Sequence, residues 1–561
     1  MDNYNIIEKL LAENARLKTE NSRLDDDNRR LNSDVAKLNN DLAELKVLNN
    51  WYLEQFRLAQ HYRFGKSSEK TTSGQLSLFN EAEAIADPKL PEPDLAETVT
   101  KVRKKKTKGR REAFYNGIPT EQIVHELPDN EQTCFTCNNN LHACGREVLR
   151  RELKIIPAQV SIVEHVQTVY SCRNCEQTSD ADTLALKKAI VLAPVIAGSG
   201  IASPSLVSFI LCNKFVLALP LYRQAQELER SGIHISRQTM ANWAMYVAAK
   251  WLTPIYNLLK VALLGSDILH ADETTTQVIK EPEHKTQRKS FMWMYHTGKH
   301  SDCQVALFEY RPTRVGTHPL NFLEGFSGFL HVDAYTGYKK LEEQDITLVE
   351  CWAHVRRRFD KSLKALDKSE RVTARANIGL EYCNRLFGLE RKYDELNLSF
   401  EERKDRRVLE ATPIAEEFFA WAQTIIDDPK VPSKSTFGDA VRYAINQKKW
   451  LLNYMLDGRL EMSNNRAEAS IRPFTIGRKN WLFSFSSKGA TASAIIYSIV
   501  ETAKLNGLVP FLYLEHLFEV LPNIPQEQFA EYLPWADGVQ KVCRLRGFAD
   551  GAADGLSSVS I

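Results

Sequence analysis

Apolar residues recur with three different periods along this chain, and each period predicts a different kind of element. Over the first fifty residues the period is seven. Leu10, Leu17, Leu24, Leu31, Leu38 and Leu45 form one seam; Ile7, Asn14, Asn21, Asn28, Val35 and Leu42 form the other. A leucine seam beside one that carries asparagines predicts a parallel coiled coil, with buried amides fixing register and partner number at some cost in stability. From about Ser203 to Trp251 the period is helical. "LPLYRQAQELERSGIHISRQTMANW" reads as a helix, a break at Gly232 and a second helix capped by Ser236. That is the outline of a helix-turn-helix, shared by many helical hairpins, in which Arg237, Gln238 and Asn242 face DNA while Met240, Trp243 and Val247 pack. From Asp267 to Phe359 the pattern shortens to strands: "DILHAD", "SFMWMYHTG", "CQVALFEY", "GFLHVD" and "ITLVECWA", with a short helical piece near "HPLNFLEGF". A charged, helix-favouring stretch follows from "HVRRRFDKS" to about Asn453. The segment from Leu460 then predicts a capped helix, a basic loop and a second helix ending at Asn506–Gly507.

Composition changes this picture little. A chain of 561 residues with 43% hydrophobic and 26% charged residues is an ordinary multidomain protein, and a net charge of +2 sets up no global field. The local distribution matters more. "SSEKTTSGQ" to "LPEPDLAETVT" reads as a linker, and it leads into "KVRKKKTKGRR", eight cations without an acid. Lys104, Lys105, Lys106, Arg110 and Arg111 suit phosphate contacts without sequence reading, or else a solubilising tail. No run of about 18 uncharged apolar residues predicts a membrane span, and the polar N-terminus has no signal-peptide core. The expectation is a cytoplasmic protein without a membrane partner.

Four of the ten cysteines form two C-x-x-C pairs, Cys134 with Cys137 and Cys172 with Cys175. Two thiolate pairs on turns can close a tetrahedral structural Zn2+ site. The alternation in "KIIPAQVSIVEHVQTVY" predicts a hairpin between the knuckles, as in a zinc ribbon. Cys144 stays outside this scheme, and Cys212, Cys303, Cys351, Cys383 and Cys543 read as core or neutral.

Two of the strands end in the same way, Leu-His-x-Asp, at His270/Asp272 and His331/Asp333. Side chains alternate faces along a strand, so each histidine shares a face with its aspartate. If the two strands are parallel neighbours, Asp272 and Asp333 meet at their carboxyl ends, where open α/β sheets place their sites. Two adjacent carboxylates repel unless a cation intervenes, and oxygen ligands suit Mg2+. "SNNRAEASIR" supplies a third acid, Glu468, on a helix capped by Ser463, Asn464 or Asn465, with Arg472 one turn later. Three such acids can hold two Mg2+ ions about 3.5–4 Å apart for in-line displacement at phosphorus. Glu273 falls on the opposite face and is a weaker ligand candidate. A rival reading takes His270 and His331 as ligands of a zinc or manganese hydrolase. The roughly 6.6 Å between residues two apart on a strand is long for one ion, so the histidines read as supporting or core residues. Arg356 and Arg357 in "CWAHVRRRF", beside His354, and Arg472, Arg478, Lys479 and Trp481 in "IRPFTIGRKNW" mix cations with an aromatic, which suits phosphate gripping and base stacking.

"RFGKSSEK", "CFTC…CRNC", "LPLYRQ", "LHADET", "DAYTGY", "CWAHVRRRF", "NNRAEASIRPFTIGRKNWLF" and "IYSIVETAKLNGLVPFLYL" together resemble the transposases of the insertion-sequence-66 family of bacterial mobile elements. The resemblance runs from the coil to about Trp535. It implies an RNase H-like catalytic core with a helical insertion. The family's catalytic acids fall on Asp272, Asp333 and Glu468, and its zinc module on Cys134, Cys137, Cys172 and Cys175. The expected architecture is a multidomain α+β chain: coiled coil 1–66, basic linker 67–112, zinc-binding module 113–185, helix-turn-helix-like region 186–258, first core part 259–361, helical insertion 362–455, second core part 456–508, and a C-terminal helical segment and disordered tail 509–561. The expected activity is Mg2+-dependent cleavage at terminal inverted repeats and strand transfer into target DNA, with Mn2+ able to substitute. The expected partners are DNA, further copies of the chain joined through the coil, and accessory proteins of the same element, in the bacterial cytoplasm at the nucleoid. The competing readings are a non-catalytic zinc-dependent DNA-binding regulator and a general RNase H-like nuclease.

Overall fold

The computed structural model describes residues 2–64, 160–170, 187–281, 289–367, 369–429 and 431–544. The basic run Lys104–Lys106 with Arg110 and Arg111, and all four cysteines of the two pairs, lie outside them. The architecture is mixed α+β. It divides into two compact units, one built from Met1–Ser67 and Tyr256–Glu501, the other from Ser68–Ile255 and Thr502–Ile561.

In chain order the elements are α1 (Asp2–Phe64), β1 (Val169–Tyr170), β2 (Lys187–Lys188), α2 (Pro204–Phe215), α3 (Leu221–Arg230), α4 (Arg237–Val247) and α5 (Thr253–Leu264). Then come β3 (Ile268–Thr276), β4 (Val278–Lys280), β5 (Ser290–Thr297), β6 (Ala306–Arg311), α6 (Thr317–Phe322), β7 (Gly328–Val332) and β8 (Ile346–Glu350). A helical run follows: α7 (Trp352–Lys364), α8 (Arg375–Glu395), α9 (Phe400–Arg406), α10 (Thr412–Ile426), α11 (Thr436–Asn446) and α12 (Lys448–Leu452). The chain closes with α13 (Asn465–Trp481), β9 (Ser484–Ser486), α14 (Ser487–Leu505), α15 (Pro510–Val520) and α16 (Asp537–Cys543).

The first unit is organised around a five-stranded sheet of order β6-β5-β3-β7-β8. β3, β5 and β6 are antiparallel neighbours, whereas β3, β7 and β8 run parallel. The β-branched and aromatic content of "ILHADETTT" and "SFMWMYHT" favours the pleated conformation, and the central position of β3 buries Ile268 through Ala271 completely or nearly so. The register of β3 against β7 is fixed where β7 begins. Gly328 has φ +145°, and a Cβ there would stand 2.3 Å from the Asp267 carbonyl. Only glycine allows the Phe329 amide to reach that carbonyl at 2.9 Å.

The helices α7 to α12 follow β8. Trp352, Phe359, Phe418 and Phe419 form an aromatic cluster at their centre, and the Trp352 indole donates to the Leu451 carbonyl at 2.8 Å. A wholly buried guanidinium, Arg407, uses all five donors: two on Glu390 at 2.8 and 2.7 Å, and one each on the carbonyls of Tyr454, Asp457 and Leu460 at 2.7–2.8 Å.

α1 is one unbroken helix of 63 residues, about 95 Å long at 1.5 Å per residue. Its six seam leucines are 53–66% exposed in the single chain. The last turns of α1 dock on the helical run. Leu58 is buried, Arg57 pairs with Asp367 at 2.7 Å, and Glu54 accepts from the Thr436 amide at 3.0 Å, at the positive end of α11.

In the second unit, Ser203 caps α2 and Ser236 caps α4, each accepting an amide three residues on. α3 and α4 are joined through Gly232 at φ +80°. Met240, Trp243 and Val247 are buried, and Arg237, Gln238 and Asn242 are exposed.

One expectation is corrected. The basic stretch after Pro473 is not a loop: α13 continues through it to Trp481. The proline removes one backbone bond, but Ile471, Phe474 and Gly477 are buried on either side of it and hold the helix on the sheet. The hairpin expected between the cysteine pairs lies partly outside the described residues, which begin at 160; of the described part, 160–168 carry no strand, and Val169–Tyr170 pairs with Lys187–Lys188, beyond the second pair. No helix among the described residues is long and apolar enough to cross a membrane.

Candidate active site

The site grows out of the β3–β7 register. Leu269 faces Leu330 and His270 faces His331 across the parallel pair. Two residues further on, Asp272 and Asp333 are therefore level, Asp333 just past the end of β7 and Asp272 not at the strand end the sequence predicted but in the middle of β3, which runs on against β5 to Thr276. The two histidine rings stack face to face, 4.2 Å between centroids and 8° from parallel. Both are buried, and burial holds the His331 imidazole far below its usual pKa, hence neutral.

Each aspartate is held by local backbone. Asp272 Oδ1 accepts the Glu273 amide at 2.8 Å, and Asp333 Oδ1 accepts the Tyr335 amide at 3.0 Å. Burial raises the pKa of Asp272 well above the ordinary range; repulsion from Glu273, Asp333 and Glu468 adds to it. That repulsion means the third acid, in the first turn of α13, belongs to the same electrostatic cluster. A buried carboxyl set among other acids is what a divalent cation relieves, so the donor set fits Mg2+.

Glu468 has cationic company from α7. Arg357 embraces its carboxylate with both terminal nitrogens, Nη1 at 3.3 Å, and His354 Nε2 lies 3.4 Å away. Arg357 therefore meets a site carboxylate here. Arg356 instead donates to Asn384, and Arg358 pairs with Asp439. Cys351, His354 and Glu468 present three ligand atoms within 4.8 Å of one another. Cys351 is buried, as the core reading expects, and its Cys-x-x-His spacing in "CWAH" is the signal for its place beside His354 and Glu468.

Asn464 was one of three candidate caps for the Glu468 helix. It stands at the N-cap, but its side chain makes no capping bond. It reaches across to β3 instead, donating to the Ala271 carbonyl at 2.8 Å and meeting His270 Nδ1 at 3.0 Å, while its own amide points at Cys351 Sγ, 3.1 Å away. Asn464 thus ties the start of α13 to the strand of Asp272. On its other side His270 Nε2 lies 3.1 Å from Glu461. Burial alone would raise the Glu461 carboxyl, but the contact with His270 and the charge of Arg466 outweigh it and keep the group ionised.

Glu273 is on the opposite face from Asp272, as alternation requires, and is almost completely buried. Arg314 and the Tyr338 hydroxyl hold it, and Arg314 also stands 3.9 Å from Asp333. Glu350, opposite Val332 on β8, went unnoticed in the sequence. Burial pushes its pKa up to about 8. Trp481 is half-buried and makes a T-shaped contact with Phe474, 5.4 Å between centroids. Arg478 turns back to the hydroxyls of Thr274 and Thr275 at 3.1 and 3.2 Å. Arg472 is half-buried and Lys479 is exposed.

Comparison with known proteins defines the class. Residues 199–492 match the description Transposase IS66 family, residues 498–535 the IS66 C-terminal element, residues 131–176 the zinc-finger binding domain of transposase IS66, and residues 51–123 the Transposase C of IS166 homeodomain. The features are those of an insertion-sequence transposase with a zinc finger and DNA as its partner. The chain belongs to the IS66 transposase family. It is similar to three uncharacterized proteins of Sinorhizobium fredii (strain NBRC 101917 / NGR234). Protein y4hP is 28% identical over 442 residues, 76% of each chain. Protein y4jD is 26% identical over 434 residues, 74% of this chain and 80% of the other. Protein y4qI is 30% identical over 362 residues, 61% of this chain and 64% of the other.

Proposed function

We propose that this protein cuts DNA at the terminal inverted repeats of its element and joins the freed 3′-hydroxyl to target DNA, using Asp272, Asp333 and Glu468 as its catalytic carboxylates. The observation that carries the reading is the pairing of His270 with His331, which sets two aspartates level on parallel strands with Glu468 acting on the first of them. The strand order, with β3 between an antiparallel and a parallel half, supports an RNase H-like core. The three carboxylates would hold Mg2+, or Mn2+ in its place, and the bound ions supply Lewis acidity for in-line displacement at phosphorus. Arg357 and His354 orient Glu468, and Asn464 holds its helix against β3. Lys479, Arg472 and Arg478 are placed along α13 to receive phosphates. Cys134, Cys137, Cys172 and Cys175 all fall in the matched zinc-finger segment and would hold a structural Zn2+. The exposed leucine seam of α1 supports assembly of two or more copies through a coiled coil. The seat of this activity is the bacterial cytoplasm, at the nucleoid.

The test is a strand-transfer assay with labelled element ends, Mg2+ and any accessory proteins of the element. Wild-type protein should give joined products. Asp272→Asn, Asp333→Asn and Glu468→Gln should each lose cleavage and joining by more than the roughly 10–100-fold typical of outer-shell groups, with end binding intact. Variants that keep full function would make the protein a DNA-binding regulator. Cutting without preference for the ends, and without joined products, would make it a general nuclease.

A further inference from the structure

At the end of α13 the backbone makes a turn that its side chain disfavours. Leu482 has φ +64° and ψ −50°, and the Phe483 amide donates to the Trp481 carbonyl at 2.8 Å. A bond closing over one residue at positive φ is the strained form of the γ-turn, and leucine gains nothing from it locally. Its effect is to turn the following residues outward. Leu482, Phe483 and Phe485 are 63%, 43% and 60% exposed, in contrast to the packed Trp481. Phe483 and Phe485 are two residues apart, so they share one side of the extended chain.

This exposed segment pairs with β4, which follows the candidate active-site strand β3 after Gln277 in a separate two-stranded sheet. β9 pairs in parallel with β4, Val278 with Ser484 and Lys280 with Ser486, and the Ser484 amide reaches the Gln277 carbonyl at 2.9 Å. Phe483 is therefore level with Gln277 and Phe485 with Ile279. At a strand rise of about 3.3 Å per residue they lie roughly 17 and 23 Å along the chain direction from Asp272. The two segments themselves are basic. Residues 274–281 and 472–489 hold Lys280, Arg472, Arg478, Lys479 and Lys488 against a single acid, Glu281, whose carboxylate is taken by the Tyr310 and Ser290 hydroxyls. The Lys280 ammonium sits 4.7 Å from the Phe485 ring centroid.

We infer that Phe483 and Phe485 are a stacking platform for unpaired bases of the DNA strand that leads to the carboxylates. The inference rests on the reading of those carboxylates as a DNA-processing centre and adds the form of DNA the site takes. Phenyl faces accept any base whose own face is free, and the cations beside them take the phosphates. A duplex keeps its base faces inside the stack, so this surface favours single-stranded or frayed DNA over an intact helix. The Lys280 ammonium beside an exposed ring, in segments whose cations outnumber acids five to one, calls for an oppositely charged phosphate partner.

The test is fluorescence anisotropy on the full-length protein, without divalent cations, using a labelled single-stranded oligonucleotide and the matching blunt duplex. The comparison is between wild type, the double variant F483A/F485A, and F485W. Both rings are exposed, so a melting curve should find the double variant as stable as wild type. The double variant should bind the single strand about tenfold or more weakly while duplex affinity changes less than about twofold, and F485W should bind the single strand at least as well as wild type. Equal loss on both DNA forms, no loss on either, or failure of wild type to bind the single strand overturns the inference. So does sedimentation in which F483A/F485A breaks up a self-associated species, which would make the patch a contact between copies. The readout involves neither cleavage nor metal, so a protein that fails to transfer strands sinks the functional reading while leaving this measurement able to stand or fall separately.

Discussion

Replacing Arg407 with methionine should lower the melting temperature sharply, although the residue lies far along the chain from every candidate catalytic group. The side chain is fully buried, and all five of its donors are engaged. Methionine fills much of the volume but leaves Glu390, only 13% exposed, without its bidentate partner, and leaves the carbonyls of Tyr454, Asp457 and Leu460 without donors. Removing one member of a buried pair costs about 3–5 kcal/mol. Arg403 stands 3.6 Å from the same carboxylate and can take up part of the charge, so the lower end applies. At about 2–4 °C per kcal/mol for a unit of this size, 3 kcal/mol corresponds to a fall of ~6–12 °C. Arg407→Lys keeps the charge but offers three donors for five, and should fall between. Adding Glu390→Met to Arg407→Met should recover part of the loss, because a buried pair replaced on both sides by apolar groups is often near neutral. Circular dichroism melts at neutral pH measure all four proteins. A shift under about 2 °C for Arg407→Met, or Arg407→Lys indistinguishable from wild type, would refute the reasoning. The contact matters for function because the three carbonyls belong to the segment that delivers Glu461 and Asn464.

Two further outcomes follow from the same geometry. Asn464→Ala removes the bonds to Ala271 and His270, so cleavage should fall by about 10–100-fold while metal-free DNA affinity holds; rate and affinity falling together would contradict a positioning role. Glu350 is raised from 4.5 to about 8 by burial, so the folded protein keeps a proton that the unfolded chain releases. Stability should therefore fall as pH rises from about 4.5 to about 8, by up to about 1.4 kcal/mol per unit. Glu350→Gln should melt higher than wild type at pH 8 and close to it near pH 4.5, as read from melts across pH; an equal shift at both ends would place the effect elsewhere.

The parts of the site that could be read from the chain were those with local periodicity. The repeated Leu-His-x-Asp, set against the two-residue period of a strand, was enough to align Asp272 with Asp333 given parallel neighbours. What escaped depended on distant partners. Asn464 resembles a helix cap, and nothing near it in sequence reveals that its amide reaches Ala271. Pro473 looks like a helix terminator, yet tertiary burial of Ile471, Phe474 and Gly477 outweighs the lost hydrogen bond and ring clash, together about 3 kcal/mol. Among Trp481, Phe483 and Phe485 the sequence does not say which ring faces out; one strained residue, Leu482, decides it. Glu350 sits in an apolar strand with no pattern to flag it. The seam leucines declared their period plainly, because a heptad needs only its own helix to be legible.

Gly328 carries no chemistry, yet it decides where the chemistry happens. With any side chain, β7 could not start where it does, and it would have to lift away or step along by a residue. A single step turns a strand over, and Asp333 would then point into the wrong layer. A lineage of such proteins could exchange much of its sheet and stay active, but a methyl group at this one spot would separate two acids that it never touches.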